Sequence, residues 1–426
     1  MGSVAETPDE GPEEVSRRDA LKIGIFTAGG LAVGGALGWL GGTGSRQGEV
    51  DSLNRRLSAI TSIYNLPELS ANIAMLNWSL YTNYALLDEF ERKFGVVVNY
   101  DETAETQDSF RDVLRTGNQA GFDILVMTDY AVQEAIQLNQ LEQLNHDYIP
   151  NIDLLDNTFP TPWDSAHEYS LPYLWGTTGI GWNETLLGAD GPMNTWTKLF
   201  DTSPGSVLRS HAGTFTVQGD RDEAVAAAAI YLGRGVNDLS QAALAEIEAL
   251  LIDVKPYLAD FADATTYYDG LSTDQFHASH AWSGDVLFVR ETVPKPEITY
   301  TVPNEGAHLW TDNYVIPRNA PHRDTAMAFI NSMWEASNQA VLAMFRNYMI
   351  ANRMALNGGP KSQAAYNASG EPFGMILPHV LTLPDINPLT DTTDNPDRGP
   401  LMQQFRARTV AENEALNTLW QNVMSA

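Results

Sequence analysis

Short apolar runs alternate with amphipathic segments along most of the chain. Residues 73–77, 96–98 and 124–127 are apolar or β-branched, which predicts buried strands. Between the first two runs, large apolar residues recur at helical spacing up to Gly95, which predicts a helix that ends there. Residues 112–117 belong to a further predicted helix. This order of strands and helices is typical of a mostly parallel sheet that is flanked by helices.

The same alternation returns in the second half of the chain. Its predicted elements are a strand at 215–217, helices at 223–232 and 239–252, a strand at 314–317, one long helix at 324–345 and a closing helix at 402–424. Two such groups of elements predict an α/β fold with two lobes. A ligand cleft is then expected between the lobes, beyond the carboxyl ends of the strands.

The first 50 residues contain the pattern of a targeting signal. Arg17 and Arg18 are followed by an apolar residue and Lys22, and then by a weakly hydrophobic, glycine-containing segment at 23–40. This order resembles a twin-arginine export signal, which directs folded proteins out of the cell. The alternative is an uncleaved membrane anchor, since a segment of about 18 apolar residues is just long enough to span a bilayer. In both cases the rest of the chain, after a linker at 51–71, is expected to work outside the cytoplasm.

The composition is strongly acidic. The 426 residues include 25 Lys plus Arg and 54 Asp plus Glu, which gives a formal net charge of −29. Binding to nucleic-acid phosphates requires a surface rich in basic residues, so this charge excludes nucleic acid as a partner. Only six of the basic residues are lysines. An acidic, lysine-poor surface suits a halophilic protein, because concentrated salt screens its self-repulsion; ordinary acidic drift is the alternative.

Catalytic and metal-binding motifs are lacking. The chain has no cysteine, which excludes disulfides, thiol nucleophiles and Cys-ligated metals. It has no Gly-x-Ser-x-Gly motif, Walker loop or dinucleotide-binding fingerprint. His277 and His280 form a His-x-x-His pair, but no third ligand follows nearby in the sequence. We therefore expect no metal, no cofactor and no catalytic residue.

Trp and Tyr residues stand at the ends of the predicted strands. Trp78 and Tyr81 follow the first strand, Tyr130 follows the strand at 124–127, and Trp310 precedes the strand-like run in the last third of the chain. One aromatic residue at such a place is usually packed at the edge of a core. A set of aromatic residues beside carboxylates fits equally well a cleft that receives a cation, because both groups attract positive charge.

Four ordered segments resemble those of the spermidine/putrescine-binding proteins of ABC importers. They are Asn-Trp-Ser-Leu-Tyr at 77–81, Phe-Asp-Ile-Leu-Val-Met-Thr-Asp-Tyr at 122–130, Ser-Leu-Pro-Tyr-Leu-Trp-Gly-Thr-Thr-Gly-Ile-Gly at 170–181 and Pro-Asn-Glu-Gly-Ala-His-Leu-Trp-Thr-Asp at 303–312. The resemblance covers most of residues 72–360. It implies an exported solute-binding protein with the two-lobed periplasmic-binding-protein fold, which captures spermidine or putrescine and delivers it to an ABC permease in the membrane.

The resemblance also implies which residues bind the amine. The implied ligand residues are polar or aromatic and lie at matched positions: Trp78, Ser79, Tyr81, Thr128, Tyr130, Asp220, Glu223, Trp282, Trp310, Asp312 and Tyr348. Two features depart from the family. Leu80 stands where an acidic residue is frequent, and the family's late glutamine has only Gln404 as a candidate counterpart.

By the same resemblance, lobe 1 comprises residues 72–176 and 311–357, and lobe 2 comprises residues 177–310 and 358–426. Crossings between the lobes are expected at 175–176, at 310–311 and near 357–359. A monomer is expected. Two alternatives stay open: a protein of the same fold that binds a different small ligand, such as another organic cation, or an extracytoplasmic enzyme on a similar scaffold.

Overall fold

The computed structural model of the protein describes residues 69–104, 106–156, 159–293, 295–353, 355 and 402–426. The predicted export signal, most of the linker at 51–71 and the predicted third crossing near 357–359 lie outside these residues. Within the described ranges, no helix has the length and apolar character that crossing a membrane requires.

The described residues form ten strands and thirteen α-helices. The strands are β1 (Asn72–Trp78), β2 (Val97–Ala104), β3 (Ile124–Thr128), β4 (Ser170–Asn183), β5 (Phe215–Gln218), β6 (Asp260–Ala262), β7 (Ala278–Trp282), β8 (Ile298–Thr301), β9 (Ala307–Val315) and β10 (Met402–Gln403). The helices are α1 (Tyr84–Phe94), α2 (Gln107–Arg115), α3 (Asp129–Gln137), α4 (Glu184–Leu187), α5 (Thr197–Phe200), α6 (Val207–Ser210), α7 (Arg221–Tyr231), α8 (Gln241–Val254), α9 (Ala264–Ser272), α10 (Ser283–Thr292), α11 (Arg323–Met333), α12 (Ala336–Arg346) and α13 (Val410–Ser425).

The strands form one continuous sheet in the order β2-β1-β3-β9-β4-β7-β5-β6, with β10 beside β9 and β8 beside β4. Both ends of the sheet are parallel, as the sequence predicts. The middle of the sheet is antiparallel. Strands β4 and β9 run antiparallel to each other. In addition, β9 runs antiparallel to β3 of one half, and β4 runs antiparallel to β7 of the other half. These two long strands therefore join the two parallel halves.

The buried residues are divided between the same two halves. One apolar cluster is built from residues 73–175 and 309–355, and two others are built from residues 180–300 and 405–423. Strand β4 contributes to both sides: Trp175 packs in the first cluster and Ile180 in the second. The α/β class is confirmed by this arrangement, whereas the lobe boundaries stay a prediction.

The prediction of a single long helix at 324–345 is wrong. The structure has two helices there, α11 and α12, which are separated at Trp334 and Glu335. The Trp334 side chain is fully buried, and its indole N–H donates a 2.9 Å hydrogen bond to a backbone carbonyl oxygen in β4. Glu335 has a ψ of 137° and forms a 2.8 Å ion pair with Lys93 of α1. These tertiary contacts override the helical periodicity of the sequence.

The closing helix predicted at 402–424 begins eight residues later than expected, because α13 starts at Val410. Met402 and Gln403 instead pair with the first residues of β9. The helix begins with a capping box: the Thr409 side chain accepts a hydrogen bond from the backbone N–H of Glu412, whose carboxylate accepts one from the backbone N–H of Thr409.

Candidate ligand-binding site

Strand β9 carries two predicted ligand residues and a histidine on one face. His308, Trp310 and Asp312 occupy alternate positions, so their side chains point to the same side, and the first and last Cα atoms are about 13 Å apart. In the sheet register, Asp312 lies beside Thr128 of β3, and His308 lies beside Thr178 of β4. The two ends of this face each organise a separate group of side chains.

Asp312 is the centre of the first group. Its carboxylate oxygens accept a 2.6 Å hydrogen bond from the Thr128 hydroxyl and a 2.9 Å hydrogen bond from the Tyr81 hydroxyl. Burial raises the pKa of Asp312 to about 6, although these two hydrogen bonds act in the opposite direction. No Lys, Arg or His of the described residues forms an ion pair with it, so Asp312 is a buried carboxylate whose charge is stabilised only by neutral donors.

Aromatic rings surround this carboxylate. The Trp310 and Tyr348 rings are 4.9 Å apart and nearly perpendicular, and the Tyr81 and Tyr348 rings are 6.0 Å apart. The Tyr348 hydroxyl donates a 2.9 Å hydrogen bond to Asp285, which fixes its ring. Gly176 leaves room for the indole, because a Cβ atom there would lie 2.7 Å from a ring carbon of Trp310. The first group therefore combines one carboxylate with three fixed aromatic faces.

A basic residue, Arg346, also lies against these rings, and the motifs did not indicate it. Its guanidinium is 5.7 Å from the Tyr81 ring centroid and 5.9 Å from that of Tyr348. It forms a 3.2 Å ion pair with Asp285. Because its charge is balanced by Asp285, Arg346 leaves Asp312 available to another cation.

Glu223 is the centre of the second group. Its Oε1 accepts a 3.1 Å hydrogen bond from the Trp282 indole, and His308 Nδ1 lies 3.0 Å from the same oxygen. Burial acts to raise the pKa of Glu223, but the charge of His308 and the hydrogen bonds from His308 and Trp282 outweigh burial and hold it below its ordinary value. Glu223 and His308 therefore form a buried ion pair.

Asp220 caps the helix that carries Glu223. Its Oδ1 accepts hydrogen bonds of 2.8 and 3.1 Å from the backbone N–H groups of Asp222 and Glu223. Asp220 is exposed to solvent as a residue, whereas its carboxyl group packs against the start of α7, where desolvation and then the charges of Asp222 and Glu223 raise its pKa to about 6. The neighbouring Asp222 is instead held by two protein cations, at 2.8 Å from Arg408 and 2.7 Å from Arg221. Asp220 is thus the carboxylate of this turn that is accessible to a solute.

Tyr130 lies beside the second group. Its ring is 5.6 Å from that of Phe405 and lies 5.8 Å from the guanidinium of Arg111 and 5.9 Å from that of Arg408. These contacts hold Tyr130 between α2 and the C-terminal segment. Its ring face is thereby already in contact with cations of the protein.

Within the described ranges, Trp78 and Ser79 form no side-chain hydrogen bond or ring contact with the other predicted residues. The Trp78 ring packs edge-on against Phe110 at 4.9 Å, and Ser79 is exposed. The next residue, Leu80, is exposed with a φ of 52°, and its backbone N–H donates a 3.2 Å hydrogen bond to Glu102 of β2. A carboxylate therefore lies next to the position where the family frequently has an acidic residue.

The structure brings the predicted residues into two contacting groups. The first contains Tyr81, Thr128, Trp310, Asp312 and Tyr348, and the second contains Glu223 and Trp282, with Asp220 and Tyr130 beside it. Their role in binding a ligand stays a prediction.

Sequence reasoning missed three residues of these groups: His308, Asp285 and Arg346. His308 had a detectable signal, because it precedes Trp310 and Asp312 at the spacing of two that places side chains on one face of a strand. For Asp285 and Arg346 there was no such signal, since their contact joins α10 with α12, which are distant in the sequence.

Gln404, the candidate for the family's late glutamine, lies near the second group. It precedes Phe405, whose ring stacks on His308 at 3.7 Å, and its carbonyl oxygen accepts a 2.8 Å hydrogen bond from the amide of Asn237. Its amide nitrogen is buried and has no hydrogen-bond partner among the described residues. A role for Gln404 stays a prediction.

Two other features lie apart from these groups. The residues of the His-x-x-His pair have different neighbours: His277 Nδ1 is 3.4 Å from the ring of His211, whereas His280 is buried against Trp196. A polar cavity of about 400 Å³ is lined by residues around the start of α11, among them His322. None of the eleven predicted ligand residues lines this cavity.

Comparison with known families identifies the kind of protein that carries this site. The sequence model of the bacterial extracellular solute-binding protein family matches residues 85–369, which is well over half of the chain. The chain belongs to this family. Extracellular solute-binding proteins bind ligands rather than transform them.

Two curated relatives of this solute-binding protein come from Pseudomonas aeruginosa. The putrescine/cadaverine-binding protein is 28% identical over 360 residues, which cover 82% of this chain and 92% of the relative. The putrescine/agmatine-binding protein is 28% identical over 316 residues, which cover 70% of this chain and 85% of the relative. The resemblance to polyamine-binding proteins that the motifs carry is confirmed by these relatives.

A solved structure shares the fold. The crystal structure of the spermidine/putrescine ABC transporter substrate-binding protein of Streptococcus pneumoniae superposes with a TM-score of 0.64 at 21% identity, covering 84% of this chain and 99% of that chain. The predicted two-lobed fold of periplasmic binding proteins is confirmed by this similarity.

Proposed function

We propose that this solute-binding protein captures a polyamine outside the cytoplasm and delivers it to an ABC permease. The observation that carries the proposal is the environment of Asp312: a buried carboxylate, held by the hydroxyls of Tyr81 and Thr128. The Tyr81 ring contacts that of Tyr348, which in turn contacts that of Trp310. A buried carboxylate without a cationic partner is costly, and an ammonium group of a ligand would supply that partner.

The chemistry of an aliphatic amine matches these groups. An ammonium group can donate to Asp312, and each charge-assisted hydrogen bond is worth roughly 1.5–3 kcal/mol net. A desolvated cation over an aromatic face adds about 2 kcal/mol, and each buried methylene adds about 0.8 kcal/mol. Against the cost of association, contacts of this kind support binding at micromolar or tighter concentrations. The two Pseudomonas aeruginosa relatives, a putrescine/cadaverine-binding protein and a putrescine/agmatine-binding protein, support the same ligand class.

The two contacting groups suggest how the ligand is held. Asp312 and Tyr81 belong to the first half of the molecule, whereas Glu223 and Trp282 are attached to α7 and β7 of the second half. A ligand that contacts both groups favours the conformation in which they are close, by its differential affinity for that state. We expect the long strands β4 and β9 to bend during closure, since they join the halves.

The remaining expectations belong to the same proposal. The family is extracellular, and we propose that export uses the twin-arginine segment, either with cleavage or with retention as an anchor. We also propose that the protein works as a monomer, and that its acidic, lysine-poor composition is an adaptation to high salt.

Isothermal titration calorimetry tests the ligand class. Putrescine, cadaverine and spermidine are titrated into the purified protein, with 1,4-butanediol as a neutral ligand of matched length. We expect micromolar or tighter binding of at least one amine and no measurable binding of the diol. Equal binding of the diol and the diamine would show that the site does not recognise a cation.

Arg346 favours a second candidate, a ligand that carries both an ammonium group and a carboxylate. Its guanidinium lies against Tyr81 and Tyr348, and its Nε is buried without a hydrogen-bond partner in the described part of the chain. Guanidinium groups bind carboxylates well. 4-Aminobutyrate therefore belongs in the same titration series, and its binding in preference to putrescine would support this candidate over the first.

A further inference from the structure

His308 faces a carboxylate inside the candidate site, and its Nε2 is buried without a hydrogen-bond partner among the described residues. Its Nδ1 lies 3.0 and 3.1 Å from the two carboxylate oxygens of Glu223. A carboxylate accepts hydrogen bonds and donates none, so Nδ1 carries the proton that points at Glu223. Both side chains are buried, with exposed fractions of 2% and 8%. An ion pair so shielded from water is little weakened by salt.

The C-terminal segment fixes the orientation of this imidazole. The ring of Phe405 stacks on His308, with centroids 3.7 Å apart and planes 24° apart. In addition, Gln403 pairs with His308 in the sheet. The Phe405 ring therefore holds the plane of the imidazole close to parallel with its own.

The other charged groups near His308 favour its protonated form overall. Burial lowers the pKa of His308, but Glu223 and then Asp129 of α3 outweigh burial and raise it above its ordinary value. Arg408 opposes protonation, but its charge is compensated by an ion pair with another carboxylate. Burial lowers the pKa of His280 on β7 to about 4, so that this neighbour is neutral. Burial also raises the pKa of Asp129 to about 7, so that near neutral pH it carries only part of a negative charge.

The carboxylates of the site therefore differ in whether a basic side chain of the protein neutralises their negative charge. Three of them have a basic partner within the chain: Glu223, Asp222 and Asp285. For Asp129, Asp220 and Asp312, no ion pair with a basic side chain exists within the described ranges. Asp129 is 1% exposed and only partly ionised near neutral pH, because burial raises its pKa to about 7. Asp220 and Asp312 are thus the two carboxylates left for the cationic groups of a ligand.

We infer that His308 is a specificity-determining residue: its imidazolium occupies the cation position at Glu223, so that the site accepts a ligand with two cationic groups, such as a diamine or an aminoalkylguanidine, in preference to a triamine. This inference rests on the proposed function. A third ammonium group near Glu223 would meet the like charge of His308 in a poorly hydrated environment, and repulsion between like charges is strong there. A dication avoids this contact and pairs with Asp312 and Asp220.

The test compares the affinity for spermidine with that for putrescine in three proteins. His308→Gln retains a hydrogen-bond donor toward Glu223 but removes the positive charge, so Glu223 becomes available to a third ammonium group. We expect the ratio of spermidine affinity to putrescine affinity to rise by about tenfold to a hundredfold, the value of one charge-assisted hydrogen bond. In the double variant His308→Gln/Glu223→Gln the charge of both partners is absent, and we expect the ratio to return to that of the wild type.

His322→Gln is the matched control, because His322 forms a similar 3.1 Å pair with Asp123 away from the site. It should leave the ratio unchanged. The inference is overturned if His308→Gln leaves the ratio as in the wild type, or if the double variant fails to reverse its effect. If the folded wild type binds no amine at all, the proposed function itself is wrong, which is a separate outcome.

A second measurement uses the wild-type protein and therefore does not depend on the folding of a variant. Nitrogen chemical shifts of ¹⁵N-histidine-labelled protein at pH 7.5 distinguish an imidazolium from a neutral imidazole. We expect one buried histidine, assigned to His308 by its coupling to neighbouring protons, to be doubly protonated with and without putrescine. A neutral His308 in both states would contradict the inference.

Discussion

The hydroxyl of Tyr81 donates a 2.9 Å hydrogen bond to the carboxylate of Asp312, a residue 231 positions further along the chain. Thr128 donates to the other oxygen of the same carboxylate. Two distant segments thus converge on the carboxylate of a third and provide only neutral donors. A hydroxyl stabilises a carboxylate less than a cation does, so the site is prepared for a ligand that brings positive charge.

Removing the charge of Asp312 should remove most of the affinity for amines. In Asp312→Asn the side chain keeps its size and one acceptor, but the ammonium group of the ligand loses its charge-assisted partner. We expect putrescine affinity to fall by about tenfold to a hundredfold, measured by calorimetry. Asp112→Asn, at an exposed position of α2, is the control and should bind as the wild type does. An unchanged affinity in Asp312→Asn would exclude this carboxylate as the anchor.

The affinity for diamines should depend on pH in a defined window. Because burial raises the pKa of Asp312 to about 6, its carboxylate is ionised above this pH and protonated below it in the free protein. The ammonium groups of a diamine stay charged throughout. We expect constant affinity above pH 7 and a progressive loss below pH 6, at up to about tenfold per pH unit. Titrations between pH 8 and pH 4.5 check this, and Asp312→Asn should show a flatter profile.

The ligand-free protein should be stabilised when Asp312 is replaced by Asn. A carboxyl group whose pKa is higher in the folded than in the unfolded chain binds its proton more tightly when folded. Stability is therefore lost as the pH rises from the ordinary pKa of 3.8 to about 6, and at neutral pH the loss amounts to roughly 2–3 kcal/mol. Asn cannot ionise, so the variant avoids this loss of stability. The gain is reduced by the cost of one weaker hydrogen bond.

Thermal unfolding without ligand measures this difference. At pH 7.5 we expect Asp312→Asn to unfold at a higher temperature than the wild type, and the gain should shrink as the pH approaches 4. Putrescine should raise the unfolding temperature of the wild type far more than that of the variant. A variant that is less stable than the wild type at both pH values would show that Asp312 serves the fold and not a ligand.

Much of the first contacting group could be predicted from the sequence. Thr128 ends a buried strand and Asp312 lies in another, so both fall where strands of one sheet come together. The motif order then selected them among many carboxylates and hydroxyls. In contrast, no pattern in the sequence indicated that Arg346 would lie beside Tyr81, because their contact depends on how α12 packs against the loop after β1.

Two other features were not predicted, because they also depend on tertiary contacts. They are the break between α11 and α12 and the pairing of His308 with Glu223. Helical periodicity continues through Trp334, and the tertiary contacts of Trp334 and Glu335 interrupt the helix. Likewise, Glu223 was identified as an anchor for a cation, but the cation that pairs with it belongs to the protein. Periodicity and motifs describe local structure, whereas these features arise from tertiary contacts.

Gly176 should be essential for the position of the Trp310 indole. A Cβ atom at residue 176 would lie 2.7 Å from Trp310 Cζ2 and 2.9 Å from Ser283 Oγ, both too close for unstrained packing. In Gly176→Ala the indole must therefore move away, and such overpacking costs roughly 1–3 kcal/mol of stability. We expect a lower unfolding temperature together with weaker putrescine binding, because Trp310 borders the Asp312 carboxylate. Gly188→Ala is the matched control: its Cβ would meet no atom within 4 Å, and its φ of −56° suits alanine. If both glycine variants bind putrescine as the wild type does, the Trp310 face takes no part in holding the ligand.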